Sequence, residues 1–97
     1  MTKTKTRPFD VAEHLETDED IIAYLSAAME EDDPALVTAA LGDVARAKGM
    51  TEVARKSNLG RASLYKALSL DGNPEFATIM QVVKALGYSF KITAKQH

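Results

Sequence analysis

Apolar residues recur at helical spacing along most of the chain. After Thr17, a favourable N-cap followed by Asp18, Glu19 and Asp20, the positions Ile21, Ile22, Leu25, Ala28 and Met29 mark the buried stripe of a helix running to about Glu31. Asp33-Pro34 opens a second helix, with Asp as cap and Pro in its first turn. Its stripe is Leu36, Val37, Ala40, Leu41 and Val44, it runs to about Lys48, and Gly49 ends it. The next stretch, TEVARKSNLGRASLYKALS, predicts two short helices joined by the turn Ser57-Asn58-Leu59-Gly60. Thr51 caps the first, and Asn58 sits where a left-handed residue is needed. In the second, Leu64, Ala67 and Leu68 share one face, while Ala62, Tyr65, Lys66 and Ser69 share the other.

After the turn-forming run Ser69 to Pro74, Asn73 is expected to cap a last helix opened by Pro74. Phe76, Ile79, Met80, Val83 and Leu86 are its apolar stripe, and Gly87 stops it. From Tyr88 to Thr93 the pattern changes to period two, which predicts a short C-terminal β-strand. Such a strand needs an edge to pair with, from the N-terminal segment, a second copy or another protein. The expected fold is all-α, five helices and one strand. Its core is Leu25, Leu41, Val44, Val53, Leu59, Leu64, Leu68, Ile79, Val83 and Leu86. Residues 1–8 read as a flexible tail, and residues 9–97 as one domain whose first part, 9–33, is an acidic extension.

Charge divides the chain more sharply than its net −2 suggests. Residues 1–41 carry three basic and ten acidic side chains, −7; the rest carries nine basic and four acidic, +5. A basic half holding the two short helices and an acidic half before it suit partners of opposite sign, although the acids can also be read as solvated helix surface. The 97 residues contain no cysteine, so disulfides, thiolate catalysis and Cys-based zinc sites are excluded. The only histidines, His14 and His97, have no second ligand at metal spacing, and the glycines are scattered at caps and turns rather than gathered in a phosphate loop. The sequence implies no enzyme, no cofactor and no metal site. It has no apolar run long enough to span a bilayer and no signal-peptide core, which predicts a cytoplasmic protein.

The blocks ALGDVARAKGM, SLYKALS and GNPEF, with the helix end at Val83 to Gly87, resemble the addiction-module antidote proteins. These are small helix-turn-helix antitoxins close to the Xre/Cro and phage-repressor type and similar to the HigA antitoxins. The resemblance covers roughly residues 9–92. It implies a lambda-repressor-like five-helix domain and a homodimer. It also implies an autorepressor that binds its operator DNA and neutralises a RelE/HigB/ParE-like toxin. A transcriptional regulator of the Xre family without a toxin partner is the alternative. Carried over, the resemblance places Arg61, Ala62 and Lys66 against base edges, and Gly60 and Ser63 near phosphates. Thr51 and Tyr65 complete the expected DNA-binding set. Ala62 departs from the amide side chain common at its position and Met50 from a glutamine, which removes part of the usual readout. For the toxin, Phe9, Val11 and Leu15 are expected as apolar anchors beside Asp10 and Glu13. The competing reading makes Phe9 and Leu15 cover for the core.

Overall fold

The computed structural model describes residues 14–69 and 71–95. Five helices follow in order: α1 (Asp18–Glu30), α2 (Pro34–Lys48), α3 (Met50–Ser57), α4 (Arg61–Ala67) and α5 (Phe76–Ala85). The tail expected over residues 1–8 lies outside the described residues.

Local signals fix most of the boundaries. The Thr17 hydroxyl accepts from the Asp20 amide, and the Asp20 carboxylate accepts from the Thr17 amide, a reciprocal capping box. The Thr17 amide, and with it the Glu16 amide, donates to the Asp20 carboxyl and holds it below its usual range. The Asp33 carboxylate caps α2 through the Ala35 amide, with Pro34 in the first turn. α3 ends in a Schellman arrangement: Leu59 N–H donates to the Ala54 carbonyl at 3.0 Å and Asn58 N–H to that of Arg55 at 3.3 Å. The residue that makes this reversal, Asn58, has φ 64°, as its place in the turn requires. α5 ends in the same way, with Gly87 at φ 96° and the Tyr88 amide on the Val83 carbonyl.

α2 packs on α1, α3 and α5, and α3 packs on α2, α4 and α5. The core gathers one side chain or more from every helix. Leu41, Val44, Leu64 and Val82 are the largest fully buried residues. Of the expected core, Leu41, Val44, Val53, Leu64, Leu68, Val83 and Leu86 are buried, and Leu25, Leu59 and Ile79 pack half-buried against them. Leu15, Ala45, Met50 and Val82 also belong to it. Gly42 is where α2 meets the end of α4: a Cβ there would stand 2.5 Å from the Leu68 carbonyl oxygen. That oxygen is backbone, so it has no rotamer by which to move aside.

Four expectations are corrected. No strand forms among the described residues; 89–95 lack regular structure, and Ile92 is 96 % exposed. The period-two pattern is real, but no pairing edge for it is found among the described residues. α3 begins at Met50, so Thr51 lies inside it, and Gly49 (φ 104°) takes the cap position. α5 begins at Phe76 behind Glu75, not at Asn73-Pro74. Ile22, Met29, Phe76 and Met80 are about half exposed or more, although helical spacing assigned them to buried stripes. On α5 and at its end, Val83 and Leu86 are buried as expected, and Val82 joins them.

A polar lock joins the two ends of this bundle. The Tyr88 hydroxyl donates to Asp18 at the start of α1 (2.7 Å), and the Lys48 ammonium, at the end of α2, lies 5.1 Å from the Tyr88 ring and 3.9 Å from the Asp18 carboxylate. Burial, then the neighbouring Asp18, pushes the Tyr88 hydroxyl up to about 12. A phenol whose folded value lies above its unfolded value of about 10 stabilises the fold in its protonated form. That contribution is complete below pH ~10 and is lost as pH rises towards 12. Tyr88→Phe is therefore expected to flatten the loss of thermal stability over this window, which melting curves from pH 8 to 11.5 will show. Leu64→Ala, which empties a fully buried site, is expected to cost about 2–5 kcal/mol in a denaturant titration.

Candidate nucleic-acid interface

α3, its turn and α4 pack together as a small unit. α3 contributes Val53 and Ala54 inward, and the Ser57 hydroxyl donates to the Ala54 carbonyl at 3.2 Å within the buried turn. The small Ala54 leaves room for the close approach of the two helices, and Leu59 plugs the gap half-buried. Leu64 and Leu68 then anchor α4 from its inner side.

With the inner side of α4 committed to the core, its remaining residues face solvent. Arg61, Ala62, Ser63, Tyr65 and Lys66 are all exposed, as is Gly60 at the entrance. Thr51 is exposed as well, on α3. One turn apart on α4, Arg61 and Tyr65 hold each other. The guanidinium carbon lies 5.6 Å from the ring centre, and a guanidinium N–H reaches the phenol oxygen at 3.4 Å. The ring thus limits the orientations open to a long flexible cation. On α3, Arg55 is engaged instead with Glu52, at 3.0 and 2.7 Å. This pairing lowers the Glu52 carboxyl and raises the Arg55 guanidinium, each mainly through the shared hydrogen bonds. Lys56, Arg61 and Lys66 are left as the exposed cations of the α3–α4 unit.

The residues expected to meet a toxin are placed differently. Phe9, Asp10, Val11 and Glu13 lie outside the described residues. Leu15 is 8 % exposed and packs in the core next to Ile21 and its neighbours. Its side chain is part of the buried core cluster. Among the described residues no three His, Asp or Glu side chains converge as a metal site would require, and no helix is long and apolar enough to cross a membrane.

One polar group was missed by sequence reasoning. Asp43, in the middle of α2, is buried, accepts from the Tyr24 hydroxyl of α1 at 2.5 Å and is also engaged by Arg46. An acid inside the apolar run ALGDVA was the available signal: a buried carboxylate needs partners, and a tyrosine on the facing helix is one that suits it.

A protein-family model described as "Probable addiction module antidote protein" matches residues 5–94. The chain belongs to this family, which points to a regulatory rather than a catalytic protein. An uncharacterized protein of Haemophilus influenzae (strain ATCC 51907 / DSM 11121 / KW20 / Rd) is 50 % identical over 86 residues, covering 89 % of each chain. No solved structure matches the chain.

Proposed function

We propose that the chain is the antitoxin of a type II toxin–antitoxin module that represses its own operon. In this reading α3 and α4 form a helix-turn-helix, and α4 enters the major groove of operator DNA. One observation carries it: α4 is pinned by fully buried Leu64, and its outward side offers Lys66 and an Arg61 held over the Tyr65 ring. Arginine reads guanine through two donors in a fixed fork, so a restrained guanidinium loses less freedom on binding. Ala62 offers a methyl contact, suited to thymine, and Lys66 a further donor. Gly60, Ser63 and Thr51 lie where backbone phosphates would pass. A palindromic operator requires two copies, and the C-terminal segment, with period-two side chains and no regular pairing, is proposed to contribute to the homodimer contact. The partner is a toxin of the RelE/HigB/ParE-like kind, and Phe9, Asp10, Val11 and Glu13 extend the surface that meets it.

Fluorescence anisotropy with the chain's own promoter fragment tests the DNA reading. Binding should fall steeply with salt, and half-sites should lie about one helical turn (~34 Å) apart. Arg61→Ala is expected to cost about 1–3 kcal/mol and to relax preference at one base pair. Affinity indifferent to both salt and Arg61 would refute the assignment of α4. The toxin contact is tested by a chain that begins at His14, which keeps core Leu15 and the Thr17 cap. It should bind operator DNA like the full chain and protect cells from the toxin less well; full protection would remove residues 1–13 from the contact.

A further inference from the structure

The α1–α2 hairpin has a surface feature that DNA binding does not use. Between the two helices runs an open cleft of about 270 Å³. Its walls are mostly small side chains, Ala27 and Ala28 on α1 and Ala39 and Ala40 on α2, with Leu36 of α2 as the one large apolar residue beside them. Methyl groups on both sides recess the seam instead of filling it. At one end stands Glu31, exposed and without a side-chain partner among the described residues; at the other are Tyr24 and the buried carboxylate of Asp43.

The charge around the cleft is mainly negative, with Arg46, bound to Asp43, as the cation at the Tyr24 end. Residues 14–45 contain nine acidic side chains and no lysine or arginine. Cations of the chain itself, Lys48 at the end of α2 and the distant Lys95, already pair with this hairpin. Lys48 lies 3.9 Å from Asp18 at the start of α1, and Lys95 lies 3.9 Å from Asp32 in the turn after it. A surface of this kind repels the phosphates of nucleic acid and anionic lipid, and it draws in basic protein. The shape narrows the choice further. A slim apolar channel with the exposed carboxylate of Glu31 at one end suits a side chain that is aliphatic along its stem and cationic at its tip. Arginine fits better than lysine, because its weakly hydrated fork can leave water at lower cost and bond a carboxylate with two donors.

We propose that the α1–α2 cleft is the docking point for a basic partner protein, which inserts one arginine along the alanine walls with its guanidinium at Glu31. The inference rests on the antidote reading, in which this partner is the toxin. In the packing order of the bundle, α2 and α3 stand between α1 and α4, so one chain can hold toxin by its acidic hairpin while α4 holds DNA.

The test uses the full-length chain and the protein encoded by the adjacent reading frame, produced together from their own operon. Affinity is measured for the wild type and for Glu31→Lys, Glu31→Gln and Ala27→Leu. Both positions are exposed, and circular dichroism checks the fold of each variant. Glu31→Lys should weaken the complex about tenfold or more by placing like charge against the incoming cation, and Glu31→Gln should weaken it less. Ala27→Leu, which fills the channel and leaves the charge alone, should weaken it too, and operator affinity should stay within about twofold for all three. A wild-type complex that none of the variants weakens overturns the cleft assignment and leaves the antitoxin reading standing. A wild type that forms no complex overturns both. Variants that alter self-association, with partner binding unchanged, assign the cleft to a second copy and overturn the proposal.

Discussion

The contact between Gly42 and the Leu68 carbonyl sets how the bundle closes. α2 touches three other helices, and its one glycine lies where the end of α4 comes down on it. A methyl group at this point would normally favour the helix by about 1 kcal/mol. Here it would push against a backbone carbonyl, so the steric cost outweighs the gain in propensity. Because α4 is seated by backbone contact at its far end and by Leu64 in its middle, its outward residues inherit a fixed orientation. Short helices of this length do not hold themselves in water; α4 exists because the core holds it.

The ends of the molecule are held by different means. Thr17 and Asp20 satisfy the first amides of α1, and Asn58 and Gly87 close α3 and α5 by left-handed reversals. These are local devices, each made within a few residues. Tyr88, Asp18 and Lys48 form the long-range counterpart, joining residues 70 apart in sequence. Their position places the start of the acidic hairpin beside the end of α5. The regulatory reading depends on this arrangement, since it keeps the acidic surface and the exposed cations of α3 and α4 on different helices.

How much of this was legible in the sequence depends on the range of the interaction concerned. Caps and turns were readable because Thr17, Asp33, Asn58 and Gly87 do their work through neighbours in the chain. The inner side of α4 was readable because Leu64 and Leu68 are apolar at helical spacing beside polar residues that are not. Spacing could not say which part of an apolar stripe finds a cover, so Ile22, Met29, Phe76 and Met80 were placed inside and stand outside. Alternation at Tyr88 to Thr93 could not supply an edge. The start of α5 moved because Asn73-Pro74 is a good turn as well as a good helix opening, and Gly72, wedged against the Lys66 and Ala67 carbonyls, holds that turn to the end of α4. For the candidate site, the identity of the exposed side chains on α4 was legible, but the hold of Tyr65 on Arg61 needed coordinates. Asp43 carried a signal that was passed over, and its tyrosine partner lies 19 residues away.

The chain has three tyrosines and no tryptophan. Each tyrosine stands at a different working part: Tyr24 at the end of the alanine-walled cleft, Tyr65 under the Arg61 guanidinium, and Tyr88 in the lock between Asp18 and Lys48. Their ultraviolet emission is not masked by indole. With any two replaced by phenylalanine, the third becomes a spectroscopic reporter on its own surface. The molecule therefore carries native optical probes for its hairpin, its α4 face and its closure, with no foreign dye to disturb a fold of this size.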